Sequence, residues 1–107
     1  MENTTERQLA QQVIDLAKVF GWLYYRTWLS MHSPAGFPDL VMVRGQRQIY
    51  AELKSEKGKV TPKQGEWLTA LSAVPQNEVY LWRPSNFDAI VQILQEEVTH
   101  AHRINNT

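Results

Sequence analysis

The chain has 107 residues, of which 43% are apolar and 21% charged, and its formal net charge is zero. These values are typical of a globular domain and exclude a disordered chain. The absence of cysteine excludes disulfide frameworks, thiol nucleophiles and thiolate zinc sites. No apolar run is long enough to span a bilayer, and the N-terminal residues are too polar for a signal segment. We therefore expect one domain, residues 1–107, that stays in the cytoplasm where it is made.

The first half of the chain is predicted to form one helix followed by three strands. The stretch from residue 4 or 5 to residue 20 carries an apolar stripe at three- and four-residue steps, which is typical of a helix. Aromatic and β-branched residues predict a half-buried strand over 22–29, and two prolines and a glycine predict a loop over 30–38. Strands over 39–43 and 49–54 follow, joined by a short polar connection that predicts a hairpin.

The second half adds a helix, a strand and a last helix. Thr61 and Pro62 supply a capping residue and a first-turn proline for a helix over 61–73. A strand is predicted over 78–82, and Ser85 is predicted to cap a last amphipathic helix. The order helix, three strands, helix, strand, helix predicts an α/β fold in which helices pack against one sheet.

The neutral net charge conceals a basic segment. Six basic and two acidic residues lie between Arg44 and Lys63, so this segment has a net charge of +4 and the remainder has −4. The segment predicts a local positive patch, although a solvated, lysine-rich surface gives the same pattern.

The predicted hairpin brings two carboxylates and one ammonium to one end of the sheet. Glu52 and Lys54 are two residues apart in one strand and therefore face the same way. Asp39 begins the preceding antiparallel strand, so pairing brings it level with the end of the second strand. Mg²⁺ prefers carboxylate oxygens, and a neighbouring lysine can orient water or neutralise charge on a phosphate. A plain salt bridge among the three residues is the structural alternative.

These residues resemble a known pattern. Pro38-Asp39, followed after twelve residues by Glu52-Leu53-Lys54, resembles the PD-(D/E)xK signature of metal-dependent nucleases. Neighbouring segments resemble the short, free-standing form of the virus-type replication-repair nuclease (VRR-NUC) domain, over nearly the whole chain; they are residues 36–41, 51–54, Gly58, 61–64 and 67–68. The resemblance implies a restriction-endonuclease-like core, a mixed sheet flanked by helices in the order α-β-β-β-α-β-α. It also implies an endonuclease that hydrolyses phosphodiester bonds in DNA with Mg²⁺, or Mn²⁺ in its place.

The resemblance assigns roles to the residues of the signature. It implies that Asp39 and Glu52 are metal ligands and that the backbone carbonyl of Leu53 completes the metal shell. It implies that Lys54 orients the attacking water or stabilises charge.

Two further residues resemble additional site residues of the family. Gln64 resembles a glutamine that orients the lysine or the water, and Glu6 resembles a glutamate that some relatives aim at the metal. Local structure offers an alternative for each. Gln64 also fits a capping box with Thr61, and Glu6 also fits the acidic first turn of a helix.

Candidate DNA contacts lie on both sides of the signature. Lys57, Lys59 and Lys63 follow it, where lysines position phosphates, and a solvated loop is the alternative. His32 precedes it in the predicted loop, where a lone histidine is more often polar surface.

Substrate and assembly follow from the resemblance alone. Short relatives resemble dimeric enzymes of branched DNA, which implies a structure-selective homodimer, a Holliday-junction resolvase in the most specific form. A flap- or duplex-nicking nuclease and a catalytically silent DNA-binding module are the alternatives. The chain has no glycine-rich phosphate loop, so we expect no nucleotide cofactor. Aromatic residues that can form either the core or the dimer interface are Trp22, Tyr24, Tyr25, Trp28 and Trp82.

Overall fold

In a computed structural model, which describes residues 3–27 and 35–97, helices pack against a four-stranded sheet. The elements in chain order are α1 (Glu6–Val19), β1 (Leu23–Arg26), β2 (Leu40–Arg44), β3 (Arg47–Leu53), α2 (Pro62–Ser72), β4 (Asn77–Trp82), a 3₁₀ turn (Pro84–Asn86) and α3 (Phe87–Gln95). This order agrees with the predicted one. None of the described helices is long and apolar enough to cross a membrane.

The sheet is mixed, with the strands in the order β1-β2-β3-β4. The pairs β1–β2 and β2–β3 are antiparallel, whereas β3 and β4 are parallel. In the β2–β3 hairpin Leu40 pairs with Ala51. This register places Asp39, the residue before β2, level with Glu52, as the alternation of the two strands predicted.

One face of the sheet carries the core. Alternate residues of β3, Ile49, Ala51 and Leu53, point into it and are at most 1% exposed. The apolar stripes of α1 and α3 cover this face. The main helical contributors are Leu9, Val13, Ala17, Ile90 and Leu94. The residues of β3 between these, including Tyr50 and Glu52, therefore point to the opposite face.

Strand β1 is shorter and more exposed than the sequence indicated. All four of its residues are exposed, with Leu23 at 77%, so the prediction of a half-buried strand is wrong. The reason is position, because β1 lies at the edge of the sheet. The buried residue of the predicted strand is Trp22, which precedes β1 and is 4% exposed. Its indole N–H donates to the carbonyl oxygen of Leu94 at 2.9 Å. Residues 28 and 29 lie outside the described residues.

The start of α3 also differs from the prediction. Ser85 lies in the 3₁₀ turn, and Asn86 is the residue that precedes the helix, without a side-chain capping bond. The hydroxyl of Ser85 instead donates to the carboxylate of Glu56 at 2.7 Å. Because the chain is already in the 3₁₀ turn at Ser85, this residue does not stand at the cap position of α3.

The basic segment does not form one continuous patch. Arg47 is 7% exposed and pairs with Glu78 at 2.7 Å, and its side chain also donates to the carbonyl oxygen of Ile93. Arg44 donates to the carbonyl oxygen of Leu94 at 2.7 Å. Both guanidinium groups therefore stabilise the C-terminal end of α3, where carbonyl groups lack helical partners. Within this segment, the lysines and not the two arginines therefore remain as candidate DNA contacts.

Candidate active site

The signature residues meet at one end of the sheet. The ammonium Nζ of Lys54 lies 3.7 Å from Oε2 of Glu52. Oδ2 of Asp39 accepts a hydrogen bond from the backbone N–H of Leu53 at 2.8 Å. The backbone N–H of Lys54 donates to the carbonyl oxygen of Trp82 at 3.0 Å, which continues the pairing of β3 with β4 beyond the strand end. Backbone pairing thus holds all three side chains on a rigid framework.

Glu52 is buried although it carries an ionisable group. It is 1% exposed, and its Oε1 has no hydrogen-bond partner among residues 3–27 and 35–97. The pKa of Glu52 is raised from its ordinary 4.5 to about 8, chiefly by burial and next by the negative charge of Asp39, while Lys54 opposes the shift. Burying this carboxyl lowers the stability of the fold. Buried groups with strongly shifted pKa values are typical of functional sites.

Gln64 takes part in both arrangements that its sequence position offers. Its Oε1 accepts from the backbone N–H of Thr61 at 2.9 Å, and its own backbone N–H donates to Oγ1 of Thr61 at 3.2 Å, which is a capping box. Its Nε2 donates to Oε2 of Glu52 at 3.0 Å. Because the cap occupies the amide oxygen, the amide nitrogen is directed at the carboxylate. One side chain therefore starts α2 and contacts Glu52.

The loop before Asp39 packs against the first turn of α2. Gly36 has a φ of +90°, and a Cβ atom there would lie 2.6 Å from the carbonyl carbon of Lys63 and 2.8 Å from the backbone nitrogen of Gln64. Only glycine allows this approach. The loop that leads into Asp39 and the helix that carries Gln64 are thus placed by the same contact.

Aromatic contacts reinforce this packing. The ring of Phe37 lies edge-on to Trp67 of α2, with 5.0 Å between the ring centroids, and edge-on to Tyr50 of β3 at 6.1 Å. The indole N–H of Trp67 donates to the carbonyl oxygen of Ala35 at 3.2 Å. Phe37 therefore joins the loop, α2 and the sheet next to Asp39.

Thr27 is a contact that the sequence did not indicate. Its backbone N–H donates to the carbonyl oxygen of Asp39 at 2.8 Å, and its hydroxyl donates to the carbonyl oxygen of Pro38 at 2.5 Å. These bonds fix the Pro38-Asp39 backbone from the side of β1. No local pattern distinguishes Thr27 from any other strand threonine, so only the tertiary structure identifies it.

The remaining predicted site residues lie around this centre. Glu6 is the exposed first residue of α1, and its negative charge contributes to the raised pKa of Glu52. The capping box of α1 uses Thr5 and Gln8, but Glu6 lies in the first turn of α1, so it also fits its structural alternative, a negative charge at a helix N-terminus. The lysines after the signature are exposed; they are Lys57, Lys59 and Lys63, of which Lys63 lies 3.6 Å from Glu66. His32 lies outside the described residues.

The donor set of the site suits a hard cation. Over residues 3–27 and 35–97, no group of three or more His, Cys, Asp or Glu side chains is placed to hold a metal ion. The site instead offers the carboxylates of Asp39 and Glu52, and one oxygen of Glu52 accepts no hydrogen bond from the residues that the structure describes. Mg²⁺ is usually held by one or two carboxylates together with waters and substrate oxygens. The residues present therefore fit Mg²⁺.

Comparison with known proteins bears on the family and the fold. The family model of the VRR-NUC domain matches residues 5–78. A solved VRR_NUC domain protein is 19% identical, with a TM-score of 0.63 and 85% of each chain covered. Hjc, a Holliday junction resolvase from the archaeal hyperthermophile Archaeoglobus fulgidus, is 23% identical over 73% of this chain and 68% of its own, with a TM-score of 0.52. No curated protein matches the sequence significantly. The two structures confirm the predicted restriction-endonuclease-like fold.

Proposed function

Because the chain belongs to the VRR-NUC domain family, we propose that it is a metal-dependent endonuclease that hydrolyses phosphodiester bonds in DNA. The observation that carries this proposal is the buried carboxyl of Glu52, which lies beside Lys54 and has an oxygen without a hydrogen-bond partner in the described part of the chain. A cation explains why a fold keeps such an oxygen, because it would neutralise the buried charge.

The residues that would hold the ion are Asp39 and Glu52, with the backbone carbonyl of Leu53 as a further ligand. Mg²⁺ is the proposed ion, and Mn²⁺ its substitute. When bound, the ion supplies Lewis-acid chemistry to the scissile phosphate and offsets the repulsion between two carboxylates and DNA.

The side chains of the chain itself supply the remaining tasks. The ammonium of Lys54 orients the attacking water and stabilises negative charge on the phosphate in the transition state. Gln64 holds the Glu52 carboxylate in one orientation through its 3.0 Å hydrogen bond. Glu6 lies at the margin of the site, where its carboxylate orients water.

The exposed lysines provide the DNA contacts in this proposal. Lys57, Lys59 and Lys63 are exposed and lie in the segment that joins β3 to the first turn of α2. They would bind backbone phosphates, which positions DNA without reading its sequence. His32 remains a candidate contact in the segment before the signature.

The substrate that we propose is branched DNA, with a four-way junction as the preferred form. The similarity of the fold to Hjc, a Holliday junction resolvase, supports this choice. A chain of 107 residues also has little surface for reading bases, so recognition by DNA shape is favoured. Flap or duplex nicking is the competing outcome.

Substitution of Asp39 tests the proposal directly. The wild type is expected to bind Mg²⁺ in calorimetry and to cut a four-way junction faster than a flap or a linear duplex of the same length. Asp39→Asn keeps an oxygen that can accept from the Leu53 N–H but removes the charge. It is therefore expected to lose Mg²⁺ binding and to cut at least about a hundredfold more slowly, a loss within the several kcal/mol that metal-ion catalysis supplies.

Asp15→Asn is the matched control. Asp15 is exposed on α1 and its carboxylate accepts only from Gln11 among the bonds described, so this variant should behave as the wild type. A wild type that binds junctions without cutting them in Mg²⁺ or Mn²⁺ would indicate a catalytically silent module. A wild type that neither binds metal nor DNA would refute the proposal.

The assembly that we propose is a homodimer formed through β1. Leu23 and Tyr25 are 77% and 61% exposed, and Leu23 pairs with Val43, itself 38% exposed, on the same face of the sheet. Trp22 and Trp82 are buried in the core and do not contribute, and Trp28 lies outside the described residues. An apolar surface at an open sheet edge favours pairing with a second copy, and a two-fold dimer offers two active sites to a two-fold junction.

Leu23→Asp is expected to weaken this dimer. A charge in an apolar interface should raise the dissociation constant about a hundredfold, or about 3 kcal/mol. Analytical ultracentrifugation over a concentration series measures it. Val74→Asp places the same charge on an apolar residue that is 48% exposed, after α2 and away from β1, and should leave the dimer intact. A monomeric wild type, or equal effects of the two variants, would contradict this interface.

A further inference from the structure

The segment between β3 and α2, residues 55–60, is here termed the lysine loop. It has no regular secondary structure and carries the exposed Lys57 and Lys59. Lys54 precedes it, and Thr61, the cap that orients Gln64, follows it. The conformation of this loop therefore affects the positions of the lysines that are proposed to contact phosphates. It also affects the residues that flank the loop next to the site, Lys54 and Thr61.

One arginine from another part of the chain holds this loop. Nη1 of Arg83, just after β4, lies 2.8 Å from the carbonyl oxygen of Ser55, 3.1 Å from that of Glu56 and 2.7 Å from that of Gly58. Three carbonyl dipoles that converge on one point repel one another unless a donor or a cation lies between them. Without the guanidinium, repulsion between these three carbonyl groups would favour other conformations of the loop.

A second contact joins the same two segments. The carboxylate of Glu56 accepts from the backbone N–H of Ser85 at 2.9 Å and from its hydroxyl at 2.7 Å. Within the loop, Gly58 is packed so closely that a Cβ atom there would lie 3.0 Å from Oγ of Ser55 and 3.4 Å from Cδ of Lys54. The loop thus lies against the stem of the Lys54 side chain and is fastened to the residues after β4.

We propose that Arg83 is a positioning residue for DNA binding, because its contacts with the carbonyls of Ser55, Glu56 and Gly58 hold the lysine loop in one shape. The inference rests on the proposed nuclease function. A loop that is already ordered loses less conformational entropy when its lysines bind phosphates. Arg83 lies outside residues 5–78, the segment that the family model matches.

Replacing Arg83 by methionine is expected to loosen the loop and weaken DNA binding. In the free protein, amide hydrogen exchange at Gly58, whose N–H donates to the carbonyl oxygen of Ser55 at 3.1 Å, should accelerate about tenfold or more. On a four-way junction in Mg²⁺, KM should rise about tenfold, which corresponds to the ordering of one or two residues. The kcat should change less than about threefold, because backbone pairing with Trp82 still holds Lys54. Arg83→Lys should recover part of the loss, because an ammonium also donates to carbonyls.

A double-mutant cycle separates positioning from general destabilisation. If Arg83 acts through the two lysines, Arg83→Met should raise KM less than about twofold in the Lys57→Ala/Lys59→Ala background. Lys18→Met is the control, since it removes a positive charge from the last turn of α1 and should leave both exchange and KM unchanged. Ser85→Ala, which removes one of the two bonds to Glu56, gives a milder variant if Arg83→Met does not fold.

Each contrary outcome has its own meaning. Unchanged exchange in the loop overturns the positioning role whether or not the protein binds DNA. Faster exchange with an unchanged KM, or full additivity in the cycle, overturns the role in DNA binding and leaves the nuclease proposal in place. A wild type that fails to bind the junction overturns both.

Discussion

Replacing Glu52 by glutamine is expected to lower Mg²⁺-dependent cleavage about a thousandfold or more. The substitution keeps the shape of the side chain, and its amide oxygen can still accept from Gln64, but the buried negative charge is gone. A thousandfold loss corresponds to about 4 kcal/mol of transition-state stabilisation, which is within what a catalytic metal ion supplies. Single-turnover cleavage of a four-way junction measures it, with Glu97→Gln, an exposed glutamate after α3, as the matched control.

The same variant is expected to stabilise the metal-free protein at alkaline pH. The pKa of Glu52 lies at about 8 in the folded chain, above its ordinary value of 4.5, chiefly because the group is buried. Below the ordinary value, the carboxyl is protonated in both the folded and the unfolded state and has no net effect. As the pH rises from there through 8, the unfolded state loses its proton freely while the folded state must keep it or bury a charge. The wild type therefore loses stability over this range, and Glu52→Gln does not.

The difference is measured by denaturant unfolding in EDTA between pH 5 and pH 9. At the upper end we expect the free energy of unfolding of Glu52→Gln to exceed that of the wild type by a few kcal/mol, about one to three. Addition of Mg²⁺ should stabilise the wild type and leave the variant unchanged, because only the wild type retains both ligands. A variant that is less stable than the wild type at every pH would show that Glu52 is a structural residue rather than a buried ligand.

The second large effect is expected from Gly36→Ala. The substitution forces a side chain into a positive φ of +90° and places Cβ 2.6 Å from backbone atoms of Lys63, which cannot give way as a flexible side chain does. Backbone strain and displacement of α2 together should cost about 2 to 4 kcal/mol of stability. For a chain of 107 residues that corresponds to a fall in Tm of roughly 10 °C or more.

Gly21→Ala is the matched control for Gly36→Ala. Gly21 also has a positive φ, +79°, but nothing lies within 4 Å of the position of its Cβ. It should therefore show the strain alone, about 1 kcal/mol. Thermal unfolding of both variants isolates the steric contact, and cleavage by Gly36→Ala should fall because Asp39 and Gln64 are displaced. Equal Tm values would contradict the close packing of residues 35–38 on α2.

The elements that local patterns describe were predicted well. The apolar stripe of α1, the cap at Thr61 and the β2–β3 hairpin depend on residues a few positions apart, so their physics is contained in short windows of sequence. Pairing around a short turn was enough to bring Asp39 level with the end of the second strand, and in the structure it lies opposite Glu52. The family resemblance, carried by the same segments, is confirmed by the match over residues 5–78.

Predictions that depended on neighbours distant in the chain were less reliable. Strand β1 has the composition of a half-buried strand, yet its edge position leaves it exposed. Ser85 has the type of a helix cap, yet Glu56 provides its acceptor. For Gln64, the sequence offered a cap or a site residue as alternatives, and the structure shows one amide that makes both contacts. Composition and residue type describe what a side chain can do, whereas packing decides which partner it meets.

The sequence by itself determined the order of the elements and the hairpin that brings the signature residues to one end of the sheet, because both follow from short-range periodicity and residue chemistry. Only the tertiary structure decided which residues hold those side chains in place. Thr27 fixes the backbone of Asp39, Gly36 seats the preceding loop on α2, and Arg83 fastens the lysine loop. These contacts join segments that are far apart in the chain. No local sequence pattern predicts which of the many polar or small residues come into contact in the folded protein.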